Sequence, residues 1–265
     1  MAISSRLLSL LRDPHDLGVL ELDGGHLVNR ASQKRFPIVN AIPIFVEPGE
    51  LGPQNQKFQR MYDWMSHGYD VASSVGNFFY RGKISQLRRR LAATLAVEPG
   101  QRCLYTSIGT GADVPFLAER VLLPSIDLVG LDLSMGMLRR CQKRLRAFAD
   151  TSLLVQANAE RLPFADRSFD VVYHLGGINF FDQPALAVRE MLRVAKPGVP
   201  IVIADETKKV VTKNYQRNPL SRAYFKDAAT DFNPQSWIPD GAVNANYEEV
   251  WDGKGYILTF RTPAG

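Results

Sequence analysis

The chain has 265 residues, 45% of them apolar, with 32 lysines and arginines against 27 acids and a formal net charge of +5. That is enough for one good-sized domain with an appendage, and the absence of any run of about eighteen apolar residues excludes a membrane-spanning helix. Two cysteines far apart, Cys103 and Cys141, exclude a disulfide framework and make a cytoplasmic setting the expected one.

Met1 to Leu11 carries one arginine and a short apolar run without a small-residue cleavage site, so it reads as an amphipathic helix rather than a signal peptide. Residues 17 to 46 read as short strands, with Asp23-Gly24-Gly25 as a turn and Pro37 and Pro43 suited to edges. This gives a small β module over residues 1–50, and Pro48, Gly49, Gly52 and Pro53 mark a linker after it. Residues 54–96 read as a helical lid, with one helix over Gln54 to Met65 and another over Asn77 to Ala96.

From residue 97 the pattern is that of a third unit, running to 265. Strands are expected over Arg102–Ser107, Ile126–Leu131, Leu153–Ala157, Phe169–His174 and Val199–Ala204. They alternate with helices over Ala112–Val121, Ser134–Ala149 and Gln183–Ala195. Ser134 suits a helix N-cap, Pro184 a first turn and Pro197-Gly198 a stop. Tyr247–Trp251 and Tyr256–Arg261 flank Asp252-Gly-Lys-Gly and predict a closing hairpin. The alternation implies an α/β fold: a Rossmann-like, seven-stranded, mostly parallel sheet with a C-terminal antiparallel hairpin.

The basic clusters, Arg88-Arg89-Arg90, Arg139-Arg140 and Lys143-Arg144-Leu145-Arg146, read either as an RNA-binding face or as solvated helix faces. The second is favoured, because no aromatic residues are interleaved to stack bases.

A nucleoside site is expected where the first strand of the sheet runs through Gly109-Thr110-Gly111 into a helix. Glycine permits a sharp turn and a close ligand approach, and open α/β sheets bind ligands at the carboxyl ends of their strands. The second strand ends in Asp132, twenty-one residues after Gly111, where an acid accepts both ribose hydroxyls. A dinucleotide needs a further glycine where Val114 stands, and a P-loop needs a lysine that is missing. S-adenosylmethionine (SAM), which has no phosphate, fits these residues better.

These segments together resemble the class I SAM-dependent methyltransferases, in particular the ubiquinone/menaquinone biosynthesis methyltransferase-like group. The resemblance rests on Gly109-Thr-Gly111, Gly130-Leu-Asp-Leu-Ser-Met-Gly-Met-Leu138, Ala157–Val172 and Glu190–Gly198, with Met61-Tyr-Asp63 and Gly68-Tyr-Asp70 resembling the lid entry. It covers roughly residues 58 to 205, and four ordered motifs are specific. It implies that Gly109 and Gly111 lie against the methionine and ribose part, and that Asp132 holds the ribose. It also implies that Leu133 packs on adenine in a pocket that includes Met137, that Asn158 and Ala159 meet the adenine edge, and that His174 and Leu175 sit beside the sulfonium. Two positions depart from the family: Tyr105 stands in the place of its acid, and Ser107 in that of its first glycine. Asp113 is the nearest substitute charge, while Tyr105 itself can donate a hydrogen bond or turn its ring to the cation.

The segment from Leu20 to Phe45 resembles a zinc-ribbon module found before some methyltransferases. It holds no cysteine; Asn29 and Ser32 stand where a second cysteine pair would be, and His15 and His26 cannot form a four-ligand site. The expectation is a metal-free relic that packs on the catalytic domain or mediates a homodimer contact.

The function these features imply is methyl transfer to a small, lipophilic or aromatic acceptor, at oxygen or carbon, with neither nucleic acid nor membrane insertion involved. An RNA methyltransferase, or a SAM-fold protein with another activity or a partner role, are the alternatives. For a general base, His174 is the first candidate because its ordinary pKa lies near neutrality, His67 in the lid the second and Asp205 the third. Tyr62, Trp64, Tyr69, Phe180 and Phe181 are among the aromatic residues expected around the acceptor.

Overall fold

The computed structural model describes residues 4–47, 49–71, 83–212, 225 and 232–264. Two sheets organise it. The first is four-stranded and follows chain order: β1 (Leu20–Asp23), β2 (His26–Asn29), β3 (Arg35–Val39) and β4 (Ile42–Pro43). The second has seven strands: β5 (Arg102–Thr106), β6 (Asp127–Asp132), β7 (Ser152–Gln156), β8 (Val171–Leu175), β9 (Pro200–Glu206), β10 (Val243–Val250) and β11 (Gly255–Arg261). Its order is β10-β11-β9-β8-β5-β6-β7. Neighbours from β9 to β7 are parallel, and β11 runs antiparallel to both β9 and β10.

Parallel strands covered on both faces are buried along their length, and β8 is buried at Val171, Val172, Tyr173 and His174. Alternate residues serve opposite cores. Leu104, Val129, Val155 and Val172 join one cluster, while Cys103, Tyr105, Leu128 and Tyr173 join the other. The helices are α1 (Ser5–Leu8), α2 (Pro53–Met65), α3 (Lys83–Leu95), α4 (Val114–Ala118), α5 (Met135–Arg144) and α6 (Pro184–Val194). Residues of α6 pack with the first cluster, and those of α3, α4 and α5 with the second.

Several helices are shorter than the sequence pattern suggests. The amino-terminal one is limited to Ser5–Leu8, and α4 to five residues. Ser134 caps α5 as expected, its Oγ accepting from the Met137 amide, but the helix stops at Arg144. The chain then tightens into 3-10 turns with a non-helical kink at Phe148, whose ring packs against the second core. Of the expected helix from Asn77, the first residues lie outside the described ones; α3 ends before Ala96, which adopts φ 47°.

The β module shares the core of the large sheet. Leu7, Leu11, Leu27, Phe36 and Phe45 belong to the same cluster as Val129 and Val155. The Phe45 amide donates to the Gln156 carbonyl (2.8 Å), and amides of Arg12 and Ala165 exchange bonds with Pro163 and Leu10 across to the loop after β7. The chain after β4 thereby covers the β7 edge, which would otherwise expose unpaired backbone.

Inside the module, Asp13, Asp16, Asn29 and Ser32 converge. The Asn29 amide nitrogen donates to Asp13 Oδ2 (2.9 Å) and to both Asp16 oxygens (3.0 Å), and Ser32 Oγ donates to Asp13 (3.2 Å). Asn29 Oδ1 accepts from the amides of Ala31 and Ser32. Asp13 and Asn29 are buried, and each needs these partners, because an unpaired polar group there costs about 1–3 kcal/mol. Nearby, His15 Nε2 lies 3.6 Å from Glu47 and 3.4 Å from Glu50. Lys34 is 3.6 Å from Glu47, and Arg161 is 2.9 Å from His15 Nδ1, so two cations already face this carboxylate–imidazole group.

Candidate active site

Strand order reverses between β6 and β8 on either side of β5, which is where open α/β sheets hold ligands. A cavity of about 240 Å³ opens there.

Its first part is made by the loop after β5 and the end of β6. Gly109 adopts φ 57°, and a side chain on it would meet nothing within 4 Å, so its surface faces open space. Its amide donates to Asp132 Oδ2 (2.8 Å), and the Ser134 amide donates to Oδ1 (2.9 Å). Burial drives the Asp132 carboxyl up to about 6, against the pull of the Ser134 and Gly109 amides. The carboxylate is thus aimed by two backbone groups and keeps lone pairs for a ligand. A pair of sugar hydroxyls suits it, which fits the nucleoside end of SAM.

Tyr105, Ser107, Leu133, Met137, Ala159 and Leu175 also line the cavity. Ser107, in the glycine's place, holds φ 60°. Gly111 serves differently from the expectation. A Cβ on it would come within 2.8 Å of Cys141 Sγ, so it allows α5 to approach the loop, and it does not line the cavity. Asn158 is also off the wall; its Oδ1 accepts from the Glu160 amide (2.9 Å) and shapes the turn instead.

The three base candidates lie elsewhere. His174 is 0% exposed, and its Nδ1 is 3.1 Å from Thr106 Oγ1. The Phe181 ring stands edge-on to it with centroids 5.5 Å apart. Burial lowers its pKa to about 3, so it is neutral at physiological pH and shut behind the wall. His67 is exposed in the turn after α2, outside the cavity lining. Asp205 accepts from the amides of Gly177 (3.0 Å), Asn179 (3.1 Å) and Glu206 (2.7 Å). Burial pushes it up to about 6; it holds the turn after β8 rather than facing a ligand. Among the described residues, no imidazole lines the cavity.

The second part of the cavity is aromatic. Phe58 and Tyr62 from α2, Tyr69 beyond it, and Phe180 and Phe181 after β8 form its walls. Phe58 stacks on Phe180 at 4.8 Å. Helix α2 is tied over the crevice at both ends. The Asp182 carboxylate accepts from the amides of Gln54 (3.0 Å) and Asn55 (2.9 Å), capping the helix from a distant segment. Asp63 accepts from Ser134 Oγ (2.6 Å) and the Gly136 amide (2.9 Å) at the start of α5. Asn55, Gln59 and Arg88 complete the wall. No sequence motif marks them, since each is defined only by where its helix lands.

Comparisons with known proteins identify the family. Residues 104–203 match the family described as "Methyltransferase domain". A demethylmenaquinone methyltransferase of Paenarthrobacter aurescens is 35% identical over 208 residues, 77% of this chain and 76% of that protein. One from Renibacterium salmoninarum is 37% identical over 145 residues, and the match spans only 56% of its length. A ubiquinone/menaquinone biosynthesis C-methyltransferase of Ectopseudomonas mendocina is 31% identical over 69% of each chain. Among solved structures, the phosphoethanolamine N-methyltransferase 2 of Haemonchus contortus in complex with SAM has a TM-score of 0.60 at 15% identity, covering 83% of this chain and 62% of that one. The [4+2]-cyclase SpnF has a TM-score of 0.59 at 16% identity, covering 82% and 98%; at such identities the likeness speaks for the fold. The chain belongs to the class I SAM-dependent methyltransferases, within the ubiquinone/menaquinone biosynthesis methyltransferase group.

Proposed function

We propose that this chain methylates a ring carbon of a small aromatic, quinol-type acceptor held beneath α2. The observation that carries the reading is the continuity of one cavity from the Asp132–Gly109 crevice to the aromatic wall of Phe58, Tyr62, Phe180 and Phe181. Such walls favour a flat apolar ring through burial and offset stacking. The relatives named above, a demethylmenaquinone methyltransferase and a C-methyltransferase, support the same class.

SAM supplies an electrophilic methyl group on a sulfonium. With SAM bound, an acceptor ring carbon would form the new bond to methyl as the carbon–sulfur bond breaks, the electron pair leaving with sulfur, and the ring proton would be lost to bulk water. The chain's part is alignment and exclusion of water, which can account for roughly 7 kcal/mol or more of barrier reduction. Gly109 and Ser134 fix Asp132 for the sugar hydroxyls, and α2, tied by Asp182 and Asp63, closes the acceptor side. With His174 sealed and neutral, the reading assigns it to support of the wall rather than to proton transfer.

Within Arg88–Arg90, each guanidinium faces an acid: Asp113, Glu119 and Glu248 respectively. Arg144 faces Asp70. These pairs favour the small-molecule reading over an RNA face.

The test is turnover of purified protein with SAM and reduced naphthoquinols or phenols. Mass spectrometry is expected to show one added methyl, and carbon NMR to place it on a ring carbon. Exclusive O-methylation, or no product with any quinol, would refute the reading.

A further inference from the structure

The substitution of tyrosine for the acid at position 105 leaves open what holds the charged amino-acid end of SAM. The Tyr105 ring is 1% exposed and lies on Tyr173, centroids 4.4 Å apart. Its hydroxyl donates to Asp113 Oδ2 at 2.8 Å. On the other oxygen, Arg88 Nε lies 2.7 Å from Asp113 Oδ1. Asp113 and Arg88 both line the cavity, with side chains 20% and 21% exposed.

Two carboxylates therefore bracket the loop from Ser107 to Asp113: Asp132 is bound to the amide of Gly109, and Asp113 stands at the loop's far end, pinned to the strand through Tyr105. Ser107, Thr110 and Ala112 line the cavity between them. A nucleoside whose sugar rested on Asp132 and whose 5′ arm followed this loop would reach Asp113.

We propose that Asp113 and Arg88 form the clamp for the amino-acid end of SAM, Asp113 taking the ammonium and Arg88 the carboxylate, with Tyr105 as the positioning residue. The pair matches a zwitterion sign for sign. Each carboxylate oxygen accepts more than one bond, and a guanidinium presents five donors in a planar fork that matches a carboxylate. The negative charge of the usual strand-end acid is thereby moved to the start of α4, and the tyrosine in the vacated place carries it. This rests on the cavity being the SAM site, and the test separates the two claims.

The experiment is calorimetry on the full chain with S-adenosylhomocysteine, with decarboxylated S-adenosylhomocysteine, and with methylthioadenosine, which keeps the nucleoside and sulfur but lacks the amino-acid arm. Charge-assisted hydrogen bonds of this kind correspond to roughly 10- to 100-fold in affinity. Asp113→Asn should therefore weaken S-adenosylhomocysteine by about that factor while changing methylthioadenosine by less than about threefold. Tyr105→Phe should weaken S-adenosylhomocysteine by about 3- to 10-fold. Arg88→Gln gives an independent reading: it should abolish the wild-type preference for S-adenosylhomocysteine over the decarboxylated ligand. Undiminished binding of S-adenosylhomocysteine by Asp113→Asn, or equal losses on both nucleosides with retained circular dichroism, would overturn the clamp. Wild-type protein binding methylthioadenosine but showing no preference for the amino-acid arm would overturn it while leaving the nucleoside site standing. Failure of the wild type to bind any of the three would overturn both.

Discussion

The two ends of the cavity are built in opposite ways. At the end proposed for the cofactor, main-chain amides aim a side chain: the Asp132 carboxylate is set by the amides of Gly109 and Ser134 at adjoining strand ends. The end proposed for the acceptor is made of rings brought from α2 and from the turn after β8, held by Asp182 and Asp63 across more than seventy residues of sequence. A main-chain cradle tolerates little variation and can serve one cofactor across many enzymes. A wall of side chains can be reshaped for a new acceptor without disturbing the cradle, as expected where function is set on a shared fold.

The contrast is sharpest in Asp132→Ala, which should lower affinity for SAM by about 100-fold, since charged hydrogen bonds to the ligand are lost and two amides are left without an acceptor. Calorimetry checks it, and affinity within about threefold of wild type would break the assignment of the cofactor end. A smaller effect is expected from pH. The Asp132 carboxyl sits near 6 instead of its usual 3.8, so the folded chain holds a proton there between those values that the unfolded chain releases. Asp132 therefore costs stability as pH rises from 3.8 through 6, whereas a ligand preferring the carboxylate binds better over the same rise. Affinity for SAM should fall by about tenfold between pH 7.5 and pH 5, and a flat binding profile would count against this carboxylate.

At the other end, Phe58→Leu should raise the acceptor KM by about fivefold through loss of ring stacking, with the Kd for SAM unchanged. Equal changes in both would mean that the two ends are not separable. The smallest effect is predicted between them: His174→Asn should leave the neutral limb of the kcat–pH profile in place, because the imidazole stays neutral down to about 3. An inflection near pH 6–7 that disappears in the variant would return His174 to the chemistry.

This division also explains what could be read from sequence. The alternating strands and helices from Arg102 onward and the closing hairpin were legible because periodicity and turn residues are local signals. That Gly109 and Asp132 stand after strands on the cavity wall was legible from their spacing, and their roles toward the cofactor belong to the proposal. Asn55, Gln59 and Arg88 were not, since no local pattern records where a helix packs. The burial of His174 was not legible for a related reason. Its place at the end of a strand was visible, but the Phe181 ring that covers it comes from a turn whose path only the fold defines. The length of α5 was overestimated because helical propensity continues past Arg144, whereas the Phe148 ring packs against the second core from 3-10 turns with non-helical backbone at that residue.

Ser107 has a consequence of its own. Its left-handed φ of 60° is one that an L-residue adopts at a penalty of about 1–2 kcal/mol, and it does so on the wall of the cavity. Selection for heat resistance alone would drift toward glycine here, while selection for catalysis would reveal what the hydroxyl returns for that penalty, making this position a gauge of which pressure has shaped the enzyme.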